Sequence, residues 1–294
     1  QQAATLWEQV RAFTGYGFNQ GHATAYADVS YRSAFLKAHW PDAFLCARLA
    51  DSGGFHHPAI YMAEAVRLGI PVRPPHVNIS GAGFTFWRGS LTALHMGLGQ
   101  VRDLRHASVD AIIAGRADGP YTSAADLTGR VTLQPKELAH LIQCGSLDGL
   151  GESRAALLAE TTSAQGRHAM QMAFSFSDQQ TSAETAAQRL AWETHLLGQP
   201  LSVHPLDLVA QPDEAVSLAA ARRQPGRRVL LLAVRLPGWT GGKGYFLGDG
   251  QEYALAIGGQ RPQAWQPLLV HGRWLVDAWG GGSLQVEQMA VVNG

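Results

Sequence analysis

The sequence predicts a multidomain α+β protein, in which a helical amino-terminal part precedes a small five-stranded β-barrel. Residues 1 to about 70 have helical patterning, with prolines at positions 41 and 58, where a first helical turn tolerates them. From about residue 227 the pattern changes to short alternating strands separated by Gly-rich turns. Five such strands within about 65 residues predict a small barrel.

The individual elements follow from apolar periodicity and from the Gly and Pro residues that end it. The predicted helices are Thr5–Phe13, Thr24–Trp40, Pro41–Ala50, Pro58–Leu68, Ser108–Arg116, Ala124–Leu127, Pro135–Cys144, Ser153–Glu160 and Ala186–Leu197. The predicted strands are Phe84–Trp87, Leu94–Leu98, Arg228–Leu236, Gly244–Leu247, Tyr253–Ile257, Leu268–Trp279 and Leu284–Val292. Residues 71–78 contain Pro74-Pro75, which excludes a helix. Residues 161–188 are rich in Ser, Thr, Gln and Ala and predict a linker.

Composition restricts the possible classes of function. The 294 residues include 23 basic and 23 acidic ones, so the overall charge does not indicate nucleic-acid binding. The charged fraction of 16% is typical of faces that contact other protein, and also of an Ala- and Gly-rich globular protein. Cys46 and Cys144 lie in apolar helical contexts without CxxC spacing, which predicts buried thiols.

Targeting signals also bear on the expected setting. No apolar run approaches the roughly 18 residues of a membrane span, so a cytoplasmic protein without membrane contact is expected. The first residue is Gln1 and not Met, which predicts a trimmed chain or a segment of a longer one.

A loop of glycines and aromatic residues at 13–22 precedes a helix with a polar stripe. Two glycines and an Asn between aromatic residues predict a tight turn governed by the backbone. At 100° per residue, a group of donors and one cation falls within about 80° of arc; its members are His22, Tyr26, Ser30, Ser33 and Lys37. The opposite side is expected to pack, and consists of Ala27, Tyr31, Ala34 and Ala38. The pattern alone also fits an ordinary amphipathic surface helix.

This segment resembles the fingers region of bacterial DNA polymerase III alpha subunits, the C-family polymerases of replicative and error-prone type. The family run is approximately GYGFNKSHAAAYA, and its following helix ends in LKAHYP; here residues 15–27 are GYGFNQGHATAYA and residues 36–41 are LKAHWP. The resemblance implies that four residues lie nearest the nucleotide or template, namely Asn19, His22, Tyr26 and Lys37. The family's Lys-Ser is replaced by Gln20-Gly21, so one expected cation is missing.

Three further phrases extend the resemblance. GIPVRPPHVN at 69–78 is similar to the family's GIEVLPPDVN, and LIQCGSLDGLG at 141–151 is similar to LIKAGAFDSLG. The sequence GGFHHP at 53–58 is closer to the error-prone type of the family than to its principal replicative type.

Residues 101–112 and 133–142 each resemble a helix-hairpin-helix unit, in which backbone N–H groups and a helix N-terminus bind a DNA phosphate. The usual hairpin is Gly-hydrophobic-Gly, because close backbone approach needs residues without side chains. Here the hairpins are Asp103-Leu104-Arg105 and Leu133-Gln134-Pro135. Asp103 would repel a phosphate, whereas four other side chains could contact DNA: Arg102, Arg105, His106 and Lys136. Helical hairpins that only pack are an equal alternative at the first hairpin.

The peptide QMAFSF, in the predicted linker, is similar to the short segment by which these polymerases hold the sliding clamp. The amide of Gln171 and the rings of Phe174 and Phe176 would enter a preformed pocket. The position of the peptide supports this interpretation, because the helix around 190–206 matches the family's ERETLGLYLTGHPL. A chance match in a polar linker is the alternative.

The carboxy-terminal strands are interpreted as an OB-fold, similar to the single-strand-binding domain of the same family. Such a barrel binds DNA with a basic groove and stacking aromatic rings. Residues 215–248 contain no acid, and the candidate contacts within them are Arg228, Arg235, Trp239 and Lys243. Phe246 and Trp274 are expected in the core. Core rings and a solvated basic loop are the alternative.

No metal site and no catalytic residue are predicted. His56, His57 and His76 are close in sequence but lack a carboxylate at ligand spacing. The palm motif of the family, with Asp residues spaced by one, does not occur. The resemblance therefore implies Mg²⁺ only in the palm of a full-length enzyme.

These observations predict the C-terminal portion of a DNA polymerase III alpha-type enzyme of replication or translesion synthesis. Its parts are a fingers-like helical region at 1–80, tandem helix-hairpin-helix units at 81–165, a linker with the clamp peptide and a connecting helix at 166–225, and an OB-fold at 226–294. Primer-template and single-stranded DNA, the sliding clamp and other holoenzyme subunits are the expected partners. The alternative is a stand-alone accessory protein that binds DNA and the clamp without chemistry. A helical structural domain with no role in nucleic-acid binding is a third possibility.

Overall fold

The computed structural model describes residues 2–13, 19–51, 54–88, 92–169, 183–240, 242, 244–278 and 280–292. Within these ranges the helices are α1 Gln2–Phe13, α2 Gln20–His39, α3 Pro41–Ala50, α4 Pro58–Arg67, α5 His106–Ala114, α6 Ala124–Arg130, α7 Pro135–Gln143, α8 Arg154–Ala169, α9 Ala186–Leu197 and α10 Leu218–Arg222. The strands are β1 Val72–Arg73, β2 Thr85–Arg88, β3 Thr92–His95, β4 Arg228–Leu236, β5 Tyr245–Gly248, β6 Tyr253–Ile257, β7 Pro267–Val276 and β8 Gly282–Val291. Short 3-10 helices lie at Leu98–Gln100, Gly115–Asp118 and Pro205–Leu208.

The helical part has a first core between α3, α4 and a three-stranded sheet of order β1-β3-β2. α3 and α4 each begin with a proline, and His57 Nδ1 caps α4 by accepting from Ala59 N at 3.2 Å. Leu45, Leu49 and Leu94 are buried in this core. Leu196 of α9 joins them, so the predicted connecting helix packs on the helical part.

α2 packs differently from its prediction. None of its residues is buried. Ala34 and Ala38 on the supposed packing face are exposed, whereas Ser33 and Lys37 are half-buried. The reason is that Lys37 Nζ lies 2.7 Å from Glu64 Oε1, which directs part of the polar stripe towards α4. The expectation that small residues pack against the protein is therefore wrong.

The two helical hairpins share a second core, formed by α5, α6, α7 and the start of α8. Ile112, Leu127 and Leu141 are fully buried there. Tyr121 is also buried and donates its hydroxyl to Ile112 O at 2.8 Å. α8 continues to Ala169, so the predicted linker is wrong for residues 161–169.

The barrel is closed, with strand order β4-β5-β6-β8-β7. All neighbouring pairs are antiparallel except β6 and β8, which are parallel. Alternate residues of β4 to β8 point inward because side chains on a strand alternate between its faces. Trp274 is buried among them as predicted, and the five-stranded barrel of the prediction is confirmed.

The barrel docks on α4 through an apolar contact and a polar one. Ile60 of α4 is buried against Val234 and Leu236, and the partly buried Phe246 packs on this group. Phe246 thus lies at the interface and not in the barrel core, where it was predicted.

The polar contact centres on the carboxylate of Glu64, which is 5% exposed. It accepts from Arg67 Nε at 2.6 Å and from the hydroxyl of Tyr253 at 3.2 Å. Burial alone would raise the pKa of Glu64, but hydrogen bonds from Arg67 and Lys37 lower it to about 2. Burial, with the neighbouring Glu64, raises the pKa of Tyr253 to about 12. One carboxylate therefore joins α2, α4 and β6.

Candidate nucleic-acid interface

The first hairpin occupies residues 101–105, between the 3-10 helix Leu98–Gln100 and α5. Leu104 N donates to Val101 O at 3.2 Å, which closes the turn. Asp103 has φ 60°, in the left-handed region that favours glycine. An aspartate therefore adopts the backbone conformation that the usual glycine would supply, and its carboxylate projects from the turn with about half of its surface exposed.

The second hairpin, residues 131–134, is ordered by Glu137 of α7. Gln134 N donates to Glu137 Oε2 at 2.8 Å, as in a capping box. The same carboxylate reaches the first hairpin, where it accepts from Arg105 N at 3.0 Å, Arg105 Nε at 2.9 Å and Arg105 Nη2 at 2.8 Å. Ser108 Oγ is a fifth donor at 2.8 Å. One buried carboxylate thus fixes the two hairpins to each other.

The convergence of donors has an electrostatic consequence. Hydrogen bonds from Arg105 first, and then from Gln134 and Ser108, lower the pKa of Glu137 to about 2. The carboxylate is therefore charged at neutral pH and takes the place that an external anion would need at Arg105. The predicted DNA contact of Arg105 is weakened by this pairing.

α7 makes two more contacts with the first hairpin. Lys136 Nζ lies 2.8 Å from Asp103 Oδ2, and His140 Nδ1 donates to Arg102 O at 2.7 Å. Both side chains of the Lys136–Asp103 pair are more than half exposed. Water screens such a pair strongly, so Lys136 can exchange Asp103 for a phosphate at little cost.

The outer edge of the hairpins presents three predicted contact residues. Arg102, His106 and Lys136 are all exposed. His106 is the first residue of α5, so this edge combines a helix N-terminus with two permanent cations. The arrangement can bind phosphate oxygens without contacting bases.

The predicted contacts on the barrel are divided between two surfaces. Arg228 Nε lies 3.0 Å from Glu287 Oε2, a carboxylate that Arg228 shares with Arg273. Trp239 is 59% exposed, and its ring centroid lies 5.5 Å from that of Phe55. Arg235 is half-buried on the strand that leads to Trp239. Lys243 lies outside the described residues.

Comparison with known proteins agrees with the hairpin geometry. The sequence matches the family described as "Helix-hairpin-helix motif" over residues 69–157. It is 38% identical over 169 residues to DNA polymerase III subunit alpha of Helicobacter pylori, and 31% identical over 229 residues to that of Treponema pallidum. It is 39% identical over 165 residues to the error-prone DNA polymerase of Mycobacterium bovis. The chain is homologous to part of these polymerases.

The extent of the matches defines what is shared. They cover 54%, 70% and 55% of this chain, but 14%, 19% and 15% of the respective relatives. The chain therefore spans less than a fifth of the length of the polymerases that it matches.

The residues predicted to face nucleotide or template lie on the exposed helix α2 or at its N-cap. Asn19 Oδ1 caps the helix by accepting from His22 N at 3.0 Å. The rings of His22 and Tyr26 lie 4.4 Å apart and are exposed. Lys37 is engaged by Glu64. Of the four, His22 and Tyr26 are thus brought together, Asn19 holds the backbone, and Lys37 contacts α4.

Other predicted features are either located or outside the described residues. The clamp-peptide residues Gln171, Phe174 and Phe176 lie outside them. Cys46 and Cys144 are buried free thiols, as predicted. In the part of the chain that the structure describes, no three His, Cys, Asp or Glu residues form a group that could hold a metal ion. None of the described helices is both long and apolar enough to cross a membrane.

Three residues of the interface were missed by the sequence interpretation: Glu137, Phe55 and Arg261. The Gln134-x-x-Glu137 spacing signalled the local cap but not the contact with Arg105, which is 32 residues away. Phe55 follows two glycines, and this local pattern gave no indication of its contact with Trp239. Arg261 lies in a loop of the barrel and had no distinguishing pattern.

Proposed function

We propose that this chain is the C-terminal DNA-binding part of a DNA polymerase III alpha-type enzyme that acts in replication or translesion synthesis. The observation that carries the proposal is the identity of 31 to 39% over 165 to 229 residues to two DNA polymerase III alpha subunits and an error-prone DNA polymerase. The exposed cations of the hairpin edge support it, since a nonspecific duplex contact needs charge and little else.

Within this proposal the hairpins hold duplex behind the primer terminus, while the barrel holds the single-stranded template. His22 and Tyr26 approach the nucleotide or template, and residues 171–176 bind the sliding clamp. Carboxylates outside this chain hold Mg²⁺ for nucleotidyl transfer in the whole enzyme. The other holoenzyme subunits and a cytoplasmic location belong to the same proposal.

The test is duplex binding by the double variant R102A/K136A. Titration of a blunt 20-base-pair duplex by fluorescence anisotropy at several salt concentrations gives both affinity and salt slope. Each lost phosphate contact lowers the slope of log K against log salt by about 0.9, so a decrease of about 2 is expected.

The matched control is R223A/R273A, which removes the same charge from exposed positions outside the hairpins. It should keep most of the wild-type slope. If the two double variants bind duplex equally, the hairpin edge is not the contact. If the wild-type chain does not bind duplex at low salt, the proposed function itself is wrong.

A further inference from the structure

The barrel and the helical part meet at a surface that combines exposed aromatic rings with cations. Phe55 precedes α4 and is 65% exposed, while Trp239 follows β4 and is 59% exposed. Their ring centroids lie 5.5 Å apart at an interplanar angle of 59°. Two large apolar side chains thus contact each other and remain largely in water, which is costly unless a ligand covers them.

This pair rests on a partly buried aromatic layer. The ring of His56 lies 5.0 Å from Phe55 and 5.7 Å from Phe246 of the barrel. Gly238 has φ 136°, and a Cβ at this position would lie 3.2 Å from that of His57. The turn before Trp239 is therefore pressed against the start of α4, and the rings come together because the barrel is docked.

Cations lie beside the rings. Arg261 Nη2 donates to Gly238 O. Arg235 Nη1 donates to Leu236 O at 3.3 Å, while its Nε is buried without a partner among the described residues. Burial and then the like charge of Arg261 lower the pKa of Arg235. Burial and then Arg235 lower that of His57 in turn.

No carboxylate of the described residues is ion-paired with Arg235 or Arg261. Like charges held together without an acid repel each other, and an anion bound between them would relieve the repulsion. The surface is therefore complementary to a ligand that carries an anion next to a flat apolar group.

We propose that this junction, formed by Phe55, Trp239, Arg235 and Arg261, is a composite site for single-stranded nucleic acid, with a base on the two rings and the adjacent phosphate at the two arginines. A single strand supplies both groups in each nucleotide, whereas a duplex keeps its bases stacked inside. The site deepens the proposed function and rests on it, but it lies across both parts of the molecule and needs Phe55 as much as the barrel.

The experiment measures binding of fluorescein-labelled dT12 to the full chain. F55A and W239A should each weaken binding about tenfold, because loss of one stacking surface has effects of this order. The double variant should weaken it by less than the product of the two, because both rings contact the same base. R261A should lower the salt slope by about 0.7, the value for one phosphate of a single strand.

The matched control is W7A, since Trp7 is as exposed as Trp239, at 66%, but lies on α1. Its affinity for dT12 should not change. The hairpin variant R102A/K136A should lose duplex affinity and keep that for dT12. Thermal unfolding of F55A and W239A should match the wild type, because both side chains are mostly in water.

Each other outcome has a definite meaning. Unchanged dT12 affinity in F55A and W239A overturns the composite site, as does an independent, fully multiplicative loss of affinity. Binding of an acidic peptide such as oligo-Glu in preference to dT12 also overturns it, in favour of a protein partner. If the wild-type chain binds duplex but not dT12, only the composite site is refuted. If it binds neither, the proposed function is refuted as well.

Discussion

The carboxylate of Glu137 gives a sharp quantitative prediction, because five hydrogen bonds converge on it, four from the two hairpins and one from α5. Replacing Glu137 with Gln keeps the shape of the side chain but removes its charge. The NH2 half of the amide then faces donors from which it cannot accept a hydrogen bond, while the amide oxygen still accepts on the other side. The buried contact between the hairpins becomes a neutral and partly unsatisfied one.

The magnitude follows from the pKa of Glu137, which is about 2. A glutamate in a peptide has a pKa of about 4.3, and each pKa unit corresponds to about 1.4 kcal/mol, so the charge contributes about 3 kcal/mol. Since Arg105 is half exposed, screening reduces this to about 2 kcal/mol. We therefore expect E137Q to lower the free energy of unfolding by about 2 kcal/mol at pH 7.

The sign of the pH dependence is fixed by the lowered pKa. The contribution of Glu137 is fully present above the pKa of the unfolded state, and it is lost as the pH falls from about 4.3 towards about 2. The stability difference between wild type and E137Q should therefore shrink over this interval. Acid dependence that comes from Glu64 is common to both proteins and cancels in the comparison.

The assay is urea unfolding followed by far-UV circular dichroism at pH 7 and at pH 3, with amide hydrogen exchange of residues 101–112 by mass spectrometry at pH 7. Exchange should accelerate in E137Q, because the N–H of Arg105 loses a charged acceptor. E214Q is the control, since Glu214 is an exposed carboxylate. Equal unfolding free energies of E137Q and E214Q at pH 7 would refute the reasoning.

Three other predictions can be checked with single substitutions. Asp103→Gly should unfold at a urea concentration close to that of the wild type, because relief of the left-handed aspartate backbone offsets the loss of an exposed ion pair. Anisotropy should show tighter duplex binding by this variant, since one anion is gone. Asp103→Ala keeps the backbone strain and should be the less stable of the two in urea. Tyr253→Phe removes a hydrogen bond to buried Glu64 and should cost about 1 to 2 kcal/mol in urea unfolding; an unchanged midpoint would contradict the polar contact between barrel and α4. Cys144, fully buried with its pKa raised by burial to about 11, should resist iodoacetamide at pH 8 until the protein is unfolded, and rapid labelling of the native chain would contradict its placement.

The elements that could be predicted are those whose ends are fixed by local chemistry. α3 begins at Pro41, and α9 ends where Gly198 adopts a left-handed conformation with φ 70°, so both helices were predicted at their observed bounds. β4 and β6 were also predicted at their observed bounds, because short apolar runs between Gly-containing turns define them. α8 extends beyond its predicted end at Glu160, because a polar sequence that contains Ser and Thr does not by itself exclude a helix.

What could not be predicted depends on contacts between distant residues. The composition of α2 suggested that Ala34 and Ala38 pack inward, but an ion pair with Glu64 on another helix decided the orientation. Phe55 carried no sign that it would contact Trp239, because that contact exists only after the barrel docks on α4. The domain divisions at 80, 165 and 225 and the roles of the site residues stay predictions.

α4 links the two ends of the proposed DNA path. Its N-terminus holds the junction residues, since His57 caps it and Ile60 is buried under the barrel. One helical turn after Ile60, Glu64 holds Lys37 of α2 and Tyr253 of β6. Phe55 and Trp239 can hold single-stranded DNA together only while the barrel is docked on α4. The docked barrel also keeps the hydroxyl of Tyr253 on the Glu64 carboxylate, which orients α2 through Lys37. If single-stranded template and incoming nucleotide bind where we propose, α4 is therefore the rigid element through which one site fixes the position of the other, with no change of fold required.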